Sequence, residues 1–246
     1  MLDTSTPSLA RAWEHLLGGG ASFAADRALA LRLEAHYPGI REVLFASRAY
    51  TARAVTRAAQ AGVRQYLDLG AGLPTRPSTH ETARAISPGA HVAYVDRDPA
   101  VAEHGRAVIP AGVRYLQGDL AEPEAILASG DLTGYIDFSQ PVCLVLALVL
   151  HVLDPGTARA VVGVLVRALA PGSYLVVTAG AGESAGLPES VWPGKFTADD
   201  LGSLLAGVDL VPPGIQEGRI VCATGRKGPA AQTTGPVKGT GQRWGT

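Results

Sequence analysis

Gln65-Tyr66-Leu67-Asp68-Leu69-Gly70-Ala71-Gly72 is the stretch that decides the fold of this 246-residue chain. Its apolar residues stop at the first glycine, which predicts a buried strand that runs into a tight turn. Because Gly70 and Gly72 lack a Cβ atom, the backbone can turn sharply there and a ligand can approach it closely. A turn of this kind at the end of the first strand of an open α/β sheet is typical of a cofactor site. An ordinary strand-to-helix turn has the same pattern.

The motif is Asp-x-Gly-x-Gly, which differs from the Gly-x-Gly-x-x-Gly of dinucleotide-binding proteins. The third glycine of that longer pattern would fall at Thr75, which follows Pro74. Asp68 is the informative residue, because a carboxylate beside a phosphate cradle would repel the phosphate. The same carboxylate would attract a cofactor that carries positive charge. The turn therefore favours such a cofactor over a dinucleotide.

The composition excludes several classes of protein. The net charge is −1, which gives no electrostatic reason to expect binding to nucleic acid or to an anionic membrane. No signal peptide opens the sequence, and no apolar run approaches the ~20 residues of a membrane span. These features predict a cytoplasmic protein. Cys143 and Cys222 lie in apolar runs, as small core residues do, and the histidines at 15, 36 and 104 lack metal-ligand spacing, so no metal is expected.

The order of the predicted elements indicates three regions. Residues 6–62 are predicted to form helices, and residues 1–62 as a whole a helical cap. From residue 63 onward strand-like runs alternate with helical segments, which indicates βαβ units and a mostly parallel sheet. The last two predicted strands, near 208–211 and 218–225, form an antiparallel pair. We therefore predict a seven-stranded Rossmann-like domain over 63–226, with an antiparallel last strand. Residues 227–246 are rich in Gly, Thr, Pro and Gln, which predicts a disordered tail.

Three successive predicted strands end near a carboxylate, at Asp68, Asp96 and Asp119. In a parallel sheet these ends share one edge, which is where ligands bind. Asp96 could accept bonds from both hydroxyls of a ribose, and Asp119 could accept one from the exocyclic amine of adenine. Each aspartate alone could equally be a helix N-cap or a turn residue. The three in register favour binding of an adenosine-containing cofactor.

These motifs resemble those of class I methyltransferases that use S-adenosylmethionine (SAM). The resemblance extends over roughly residues 7–226 to an actinobacterial S-adenosyl methyltransferase family first catalogued as a domain of unknown function. It implies that SAM is the cofactor, and it places the cofactor contacts at Asp68, Gly70, Gly72, Asp96 and Asp119. The segments that carry the resemblance to this family are 11–19, 23–27, 68–75, 79–81, 94–99 and 170–174. Segment 118–120 resembles the third cofactor motif of class I methyltransferases, and this adds Leu120 to the expected contacts.

The chain departs from the family pattern in one loop. After the paired glycines the family usually has Asp-Asn, and this chain has Ala21-Ser22. If the missing pair contacts cofactor or substrate, this protein has lost that contact. The departure motivates an alternative function, a SAM-binding protein that does not transfer methyl groups. An NAD-dependent oxidoreductase is a third candidate, disfavoured by Asp68 and by the missing third glycine.

Two histidines are candidates for the site. His151 follows the most apolar predicted strand, within Leu150-His151-Val152-Leu153-Asp154. This stretch resembles a segment of small-molecule O-methyltransferases in which the histidine can be the general base. A neutral imidazole titrates in the range that suits such a base, although a histidine here can also only pack. His80 follows the glycine turn and could reach the carboxylate end of the cofactor, or it could lie on the surface. Under this hypothesis the cap closes over a small-molecule substrate, with Trp13, Leu16 and Leu17 above the cofactor.

Overall fold

The computed structural model describes residues 5–180 and 196–229. Three helices come first: α1 (Leu9–Leu16), α2 (Ala24–His36) and α3 (Ile40–Gln60). Strands and helices then alternate in the order β1 (Gln65–Leu69), α4 (Thr79–Ile86), β2 (His91–Asp96), α5 (Pro99–Val108), β3 (Val113–Gln117), α6 (Pro123–Ala128), α7 (Gly130–Thr133), β4 (Val142–Ala147), α8 (Pro155–Ala168), β5 (Tyr174–Gly180), α9 (Ala198–Leu204), β6 (Asp209–Leu210), β7 (Gln216–Glu217) and β8 (Ile220–Arg226). A short 3₁₀ turn, Leu150–Val152, lies between β4 and α8.

The strands form one sheet in the order β3-β2-β1-β4-β5-β8-β6, and β7 pairs with the start of β8. Strands β1 to β5 are mutually parallel, whereas β8 runs antiparallel to β5 and to β6. The predicted mostly parallel α/β sheet with an antiparallel last strand is therefore confirmed. The short strand β7 was not predicted, and it brings the described sheet to eight strands.

Strand β1 lies near the centre of the sheet and all five of its residues are buried. Leu67 and Leu69 belong to an apolar core that includes buried residues of α8 and α9. Tyr66 belongs to the core on the opposite face, which includes buried residues of α3, α4 and α5. Because alternate side chains of a strand point to opposite faces, this central strand needs apolar residues in both directions.

Helix α3 lies on the sheet instead of forming part of a cap over its edge. Its alanines at 54, 58 and 59 are buried against strands, and such small side chains allow a helix to approach a sheet closely. Ser47 Oγ and Thr178 Oγ1 of β5 are 2.6 Å apart, and Tyr50 Oη lies 3.0 Å from Thr224 Oγ1 of β8. The predicted cap of residues 1–62 is thus confined to α1, α2 and the start of α3, which share an apolar cluster of their own.

The end of the described chain also differs from the predicted tail. The carbonyl of Lys227 accepts a bond from Gly172 N, its own amide donates to Ser173 O, and its Nζ donates to the carbonyl of Val166 at 2.8 Å. Lys227 therefore belongs to the folded domain, because it satisfies carbonyl groups at the end of α8. The rest of the predicted tail, from residue 230 onward, lies outside the described residues. Within the described ranges, no helix is both long enough and apolar enough to cross a bilayer.

Candidate active site

A cavity of about 1070 Å³ lies where the carboxyl ends of β1 to β4 meet α1, α2 and α3. Sites for a single drug-sized ligand usually have roughly 300–1,000 Å³, so this cavity is slightly larger than a usual single-ligand site. Its floor contains the glycine turn and all three predicted aspartates, and its walls contain side chains of the helices. The sequence prediction that these strand ends meet at one site agrees with this geometry.

The glycine turn has a backbone that favours glycine. Gly70 has φ +65° and Gly72 has φ +62°, which is the left-handed region. The amides of Gly70 and Ala71 both donate to the carbonyl of Val95, at 2.8 and 3.1 Å, and this fixes the turn against β2. A Cβ atom on Gly70 would lie 2.1 Å from Cγ2 of Val149. The turn therefore excludes side chains for steric as well as conformational reasons.

Asp68 is buried at the base of the turn, with 9% of its surface exposed. Its Oδ2 accepts a hydrogen bond of 2.6 Å from Thr79 Oγ1. Burial raises the pKa of Asp68 to about 6, although the bond from Thr79 and the positive charge of Arg48 oppose that rise. A buried carboxylate with an elevated pKa gains stability when a cation binds beside it. Asp68 is thus suited to an ammonium group.

Asp96 connects the turn to the loop after β2. Its Oδ2 accepts the amide of Gly72 at 2.9 Å, and its Oδ1 accepts the amide of Asp98 at 3.0 Å. Burial raises the pKa of Asp96, and these two backbone bonds oppose that rise. Asp98, and not Asp96, is the N-cap of α5, since its Oδ1 accepts the amides of Ala100 and Val101. The carboxylate of Asp96 therefore lies in the cavity floor, where a ribose could bind.

Asp119 and Leu120 line the cavity beyond β3. Asp119 is partly exposed and accepts the amide of Ala121 at 2.9 Å, which is a turn interaction. Leu120 has only 6% of its surface exposed. One carboxylate beside one apolar side chain suits a base that presents an amine at its edge and an apolar face.

A buried ion-pair network joins the cap to the loop after β2, and sequence reasoning missed it. Arg11 Nε donates to Asp26 Oδ2 at 2.8 Å, and Arg11 Nη1 donates to Asp98 Oδ2 at 3.3 Å. The Arg11 side chain is 5% exposed and that of Asp26 is fully buried. Burial acts to raise the pKa of Asp26, but bonds from Arg11 and from the amides of Ser8 and Phe23 hold it below its ordinary value. The network fixes both cap helices against the floor.

One face of α1 forms the upper wall of the cavity. Ala10, Trp13, Glu14 and Leu17 all line it, with the spacing expected for one helical face. The predicted Leu16 does not contribute, because it is 1% exposed inside the cap cluster. Leu148, the residue after β4, also lines the cavity and packs against the cap cluster. Further apolar lining comes from Leu29, Leu44, Val149, Val152 and Leu153.

The Ala21-Ser22 loop lies outside the cavity lining in the part of the chain that the structure describes. The amide of Ala21 donates to both carboxylate oxygens of Glu14, at 3.1 and 3.2 Å. A Cβ atom on Gly19 would lie 1.8 Å from Glu14 Oε1, so the glycine leaves room for this carboxylate. The departure from the family pattern therefore gives no specific support to a protein that has lost transfer activity.

His151 is not where a base in contact with substrate should be. It is fully buried, whereas its neighbours Val152 and Leu153 line the cavity and His151 does not. Its ring lies 6.5 Å from that of Trp13, at an interplanar angle of 55°. Burial lowers the pKa of His151 to about 3. The turn after β4 directs the His151 side chain into the core. The imidazole therefore lies beside the Trp13 ring and does not face the cavity.

His80 also lies away from the main cavity, contrary to its predicted cofactor contact. Its Nδ1 is 2.9 Å from the hydroxyl of Tyr94, and its amide donates to the same hydroxyl at 2.8 Å. The residue lines a separate depression of about 590 Å³. Position 80 is the second residue of α4, and its ring meets that of Tyr94 in β2 edge-on, with the centroids 5.9 Å apart. Its neighbour Glu81 completes a capping box with Ser78, a structural role.

Among the described residues, no three His, Cys, Asp or Glu side chains come together as a candidate metal site. Cys143 and Cys222 are buried free thiols.

Comparison with known proteins gives consistent results. A family model described as S-adenosyl methyltransferase matches residues 1–232. The crystal structure of a putative methyltransferase from Thermobifida fusca YX is 36% identical and covers 92% of this chain and 97% of its own, with a TM-score of 0.84. A DUF574 family protein from Streptomyces avermitilis MA-4680 is 27% identical over 92% of this chain and 100% of its own, with a TM-score of 0.85.

More distant structures share the fold alone. Magnesium protoporphyrin IX methyltransferase from Synechocystis PCC 6803 is 13% identical over 88% of this chain and 93% of its own, with a TM-score of 0.54. No protein among those with curated functions matches.

Proposed function

Because this chain belongs to the S-adenosyl methyltransferase family, we propose that it transfers the methyl group of SAM to a small molecule held beneath the cap. The observation that carries the proposal is the two-sided cavity. Its floor presents the glycine turn and three carboxylates, and its upper wall presents Ala10, Trp13 and Leu17 of α1 beside Glu14. The first side suits the cofactor, and the second suits an acceptor molecule with an apolar body.

Three polar parts of SAM would each have a matching aspartate in the floor of the cavity. Asp68 would accept the ammonium of its amino-acid end, Asp96 the ribose hydroxyls, and Asp119 the adenine amine. Gly70 and Gly72 leave the backbone open for close approach. When bound, SAM supplies an electrophilic methyl group on a positively charged sulfur.

The protein would accelerate transfer mainly by position. Methyl transfer is an in-line displacement, so the acceptor atom must lie opposite the sulfur and close to the methyl group. Trp13 and Leu17 on the cap and Leu148 on the end of β4 bound that space. Their apolar surfaces would exclude water and orient the acceptor. A cavity only slightly larger than a usual single-ligand site supports a small acceptor beside the cofactor.

Calorimetric titration with S-adenosylhomocysteine (SAH) tests the cofactor side. Asp96→Ala should weaken SAH by at least about tenfold, because a charge-assisted hydrogen bond contributes about 1.5–3 kcal/mol. Asp131→Ala, which removes an exposed aspartate outside the cavity lining, is the matched control and should bind SAH like wild type. Equal affinities of the two variants would contradict the ribose assignment.

Transfer itself is tested by SAH formation from SAM in the presence of a panel of phenols, amines and carboxylic acids with apolar bodies. We expect at least one acceptor to give SAH at a rate that depends on the acceptor concentration. Trp13→Ala should raise KM for that acceptor, while its SAH affinity stays within about twofold of wild type. A wild-type protein that does not bind SAH would overturn the proposal.

A further inference from the structure

A small polar cluster in the cavity wall has hydrogen-bonding capacity that the protein does not use. It consists of Arg48 and Thr51 on α3 and Thr75 in the loop after the glycine turn, and all three line the cavity. The three-residue spacing between Arg48 and Thr51 places them on one side of the helix. Thr75 is held beside them, because Arg48 Nη1 donates to its carbonyl at 3.1 Å.

The guanidinium of Arg48 has donors to spare. It carries five N–H donors, and its bond to Thr75 is the one hydrogen bond it makes to the described residues. The side chain is only partly exposed, and burial lowers the pKa of Arg48, an effect that the nearby charge of Asp68 opposes. An arginine in this position is suited to a ligand that accepts several hydrogen bonds at once.

Two hydroxyl groups beside it are also unsatisfied. Thr51 Oγ1 and Thr75 Oγ1 are buried, and neither has a hydrogen-bond partner among the described residues. Buried hydroxyls are normally bonded, so two without partners at one place in a cavity indicate a polar group that is supplied from outside. Two hydroxyl donors and a guanidinium make a donor set that matches the oxygens of a carboxylate.

The cluster lies near a carboxylate of opposite charge, since Arg48 and Asp68 interact electrostatically. Together they offer a positive and a negative group to one ligand. We propose that Arg48, Thr51 and Thr75 bind the carboxylate of the amino-acid end of the cofactor, while Asp68 binds its ammonium. This inference rests on the proposed function, because it assigns one end of the same cofactor.

Two ligands separate this role from a purely structural one. SAH carries the amino-acid group, whereas 5′-methylthioadenosine has the same nucleoside and thioether without it. If Arg48 binds the carboxylate, Arg48→Met should weaken SAH by about tenfold or more and change the affinity for methylthioadenosine by less than about twofold. If Arg48 only holds the loop through Thr75, both ligands should lose affinity equally, and that result would overturn the proposal.

The control is Arg53→Met on the same helix. Arg53 is exposed, its guanidinium lies 5.9 Å from the ring centroid of Tyr50, and it does not line the cavity. This variant should bind both ligands like wild type. Thr51→Val and Thr75→Val keep shape and remove one hydroxyl each, so they test the site even if Arg48→Met fails to fold.

The double valine variant should weaken SAH by about threefold to tenfold and leave methylthioadenosine unchanged. Unchanged SAH affinity in that variant, or in a folded Arg48→Met variant, would overturn this assignment without touching the proposed function. Failure of the wild-type protein to bind SAH would instead overturn the proposed function.

Discussion

Replacing Gly70 with alanine tests two separate reasons for glycine in the turn after β1. The first is conformational, because Gly70 has φ +65°. An L-residue in this left-handed region costs roughly 1–2 kcal/mol. The second is steric, because the new Cβ would lie 2.1 Å from Cγ2 and 2.8 Å from Cβ of Val149. Overpacking of this kind in a filled core costs about 1–3 kcal/mol. The free energy of unfolding should therefore fall by about 2–5 kcal/mol.

Gly72→Ala is the matched control. Gly72 has φ +62°, so the conformational cost is the same. Its new Cβ would meet the Cβ of Ala10 at 3.6 Å, which is an ordinary contact. Only the first cost applies, so the free energy of unfolding should fall by roughly 1–2 kcal/mol.

Urea denaturation of the protein without cofactor measures both variants. A second comparison isolates the clash: Val149→Ala should recover part of the stability lost in Gly70→Ala, with a coupling energy of about 0.5–3 kcal/mol. If Gly70→Ala and Gly72→Ala are equally stable and Val149→Ala adds no recovery, the steric half of the reasoning is wrong.

Three further outcomes are expected. Burial raises the pKa of Asp68 to about 6, which favours the protonated carboxyl in the folded state. The resulting contribution to folding stability is complete below the unfolded pKa of about 4 and is lost as the pH rises through 6. Asp68→Asn, which resembles the protonated side chain, should therefore stabilise the cofactor-free protein by about 1–3 kcal/mol at pH 8 and by nothing at pH 4, as thermal melts would show. His151→Leu should lower turnover of an identified acceptor by less than about tenfold; a loss of 10²–10⁴-fold with unchanged SAH affinity would instead support a base role. Lys227→Ala should lower the melting temperature by about 2–6 °C, since it removes bonds to carbonyls at the end of α8, whereas deletion of residues 230–246 should leave it unchanged.

The sheet and the meeting of three aspartates at the floor of the cavity could be predicted because their signals are local. A buried strand is read from a short apolar run, and a glycine turn from Gly70 and Gly72 themselves. Parallel strands bring their carboxyl ends to one edge, so Asp68, Asp96 and Asp119 followed from their places in the chain. No knowledge of side-chain packing was needed for these assignments.

The walls of the cavity could not be predicted in the same way. Whether His151 faces the cavity or the core depends on the turn after β4, and the sequence alone does not fix that direction. Arg11 donates a hydrogen bond to Asp98, which lies 87 positions later in the chain. No rule of sequence spacing predicts a pairing at that separation. The packing of α3 on the sheet was hidden for a similar reason, because its buried alanines are recognisable as a sheet-packing face only once the sheet is in place.

The packing of α3 also has a consequence for how the chain folds during its synthesis on the ribosome. This helix is made early, yet Ser47 bonds Thr178, which is 131 residues later, and Tyr50 bonds Thr224, which is 174 residues later. At about 5–20 residues per second on the ribosome, α3 waits roughly 10–35 s for its last partner. During that interval the part of α3 that packs on β8 has no partner, although β4 and β5, which α3 also covers, are made before β8. The nascent chain should therefore stay open to chaperones and proteases until β8 has emerged, and truncation before β8 should yield an insoluble product instead of a smaller domain.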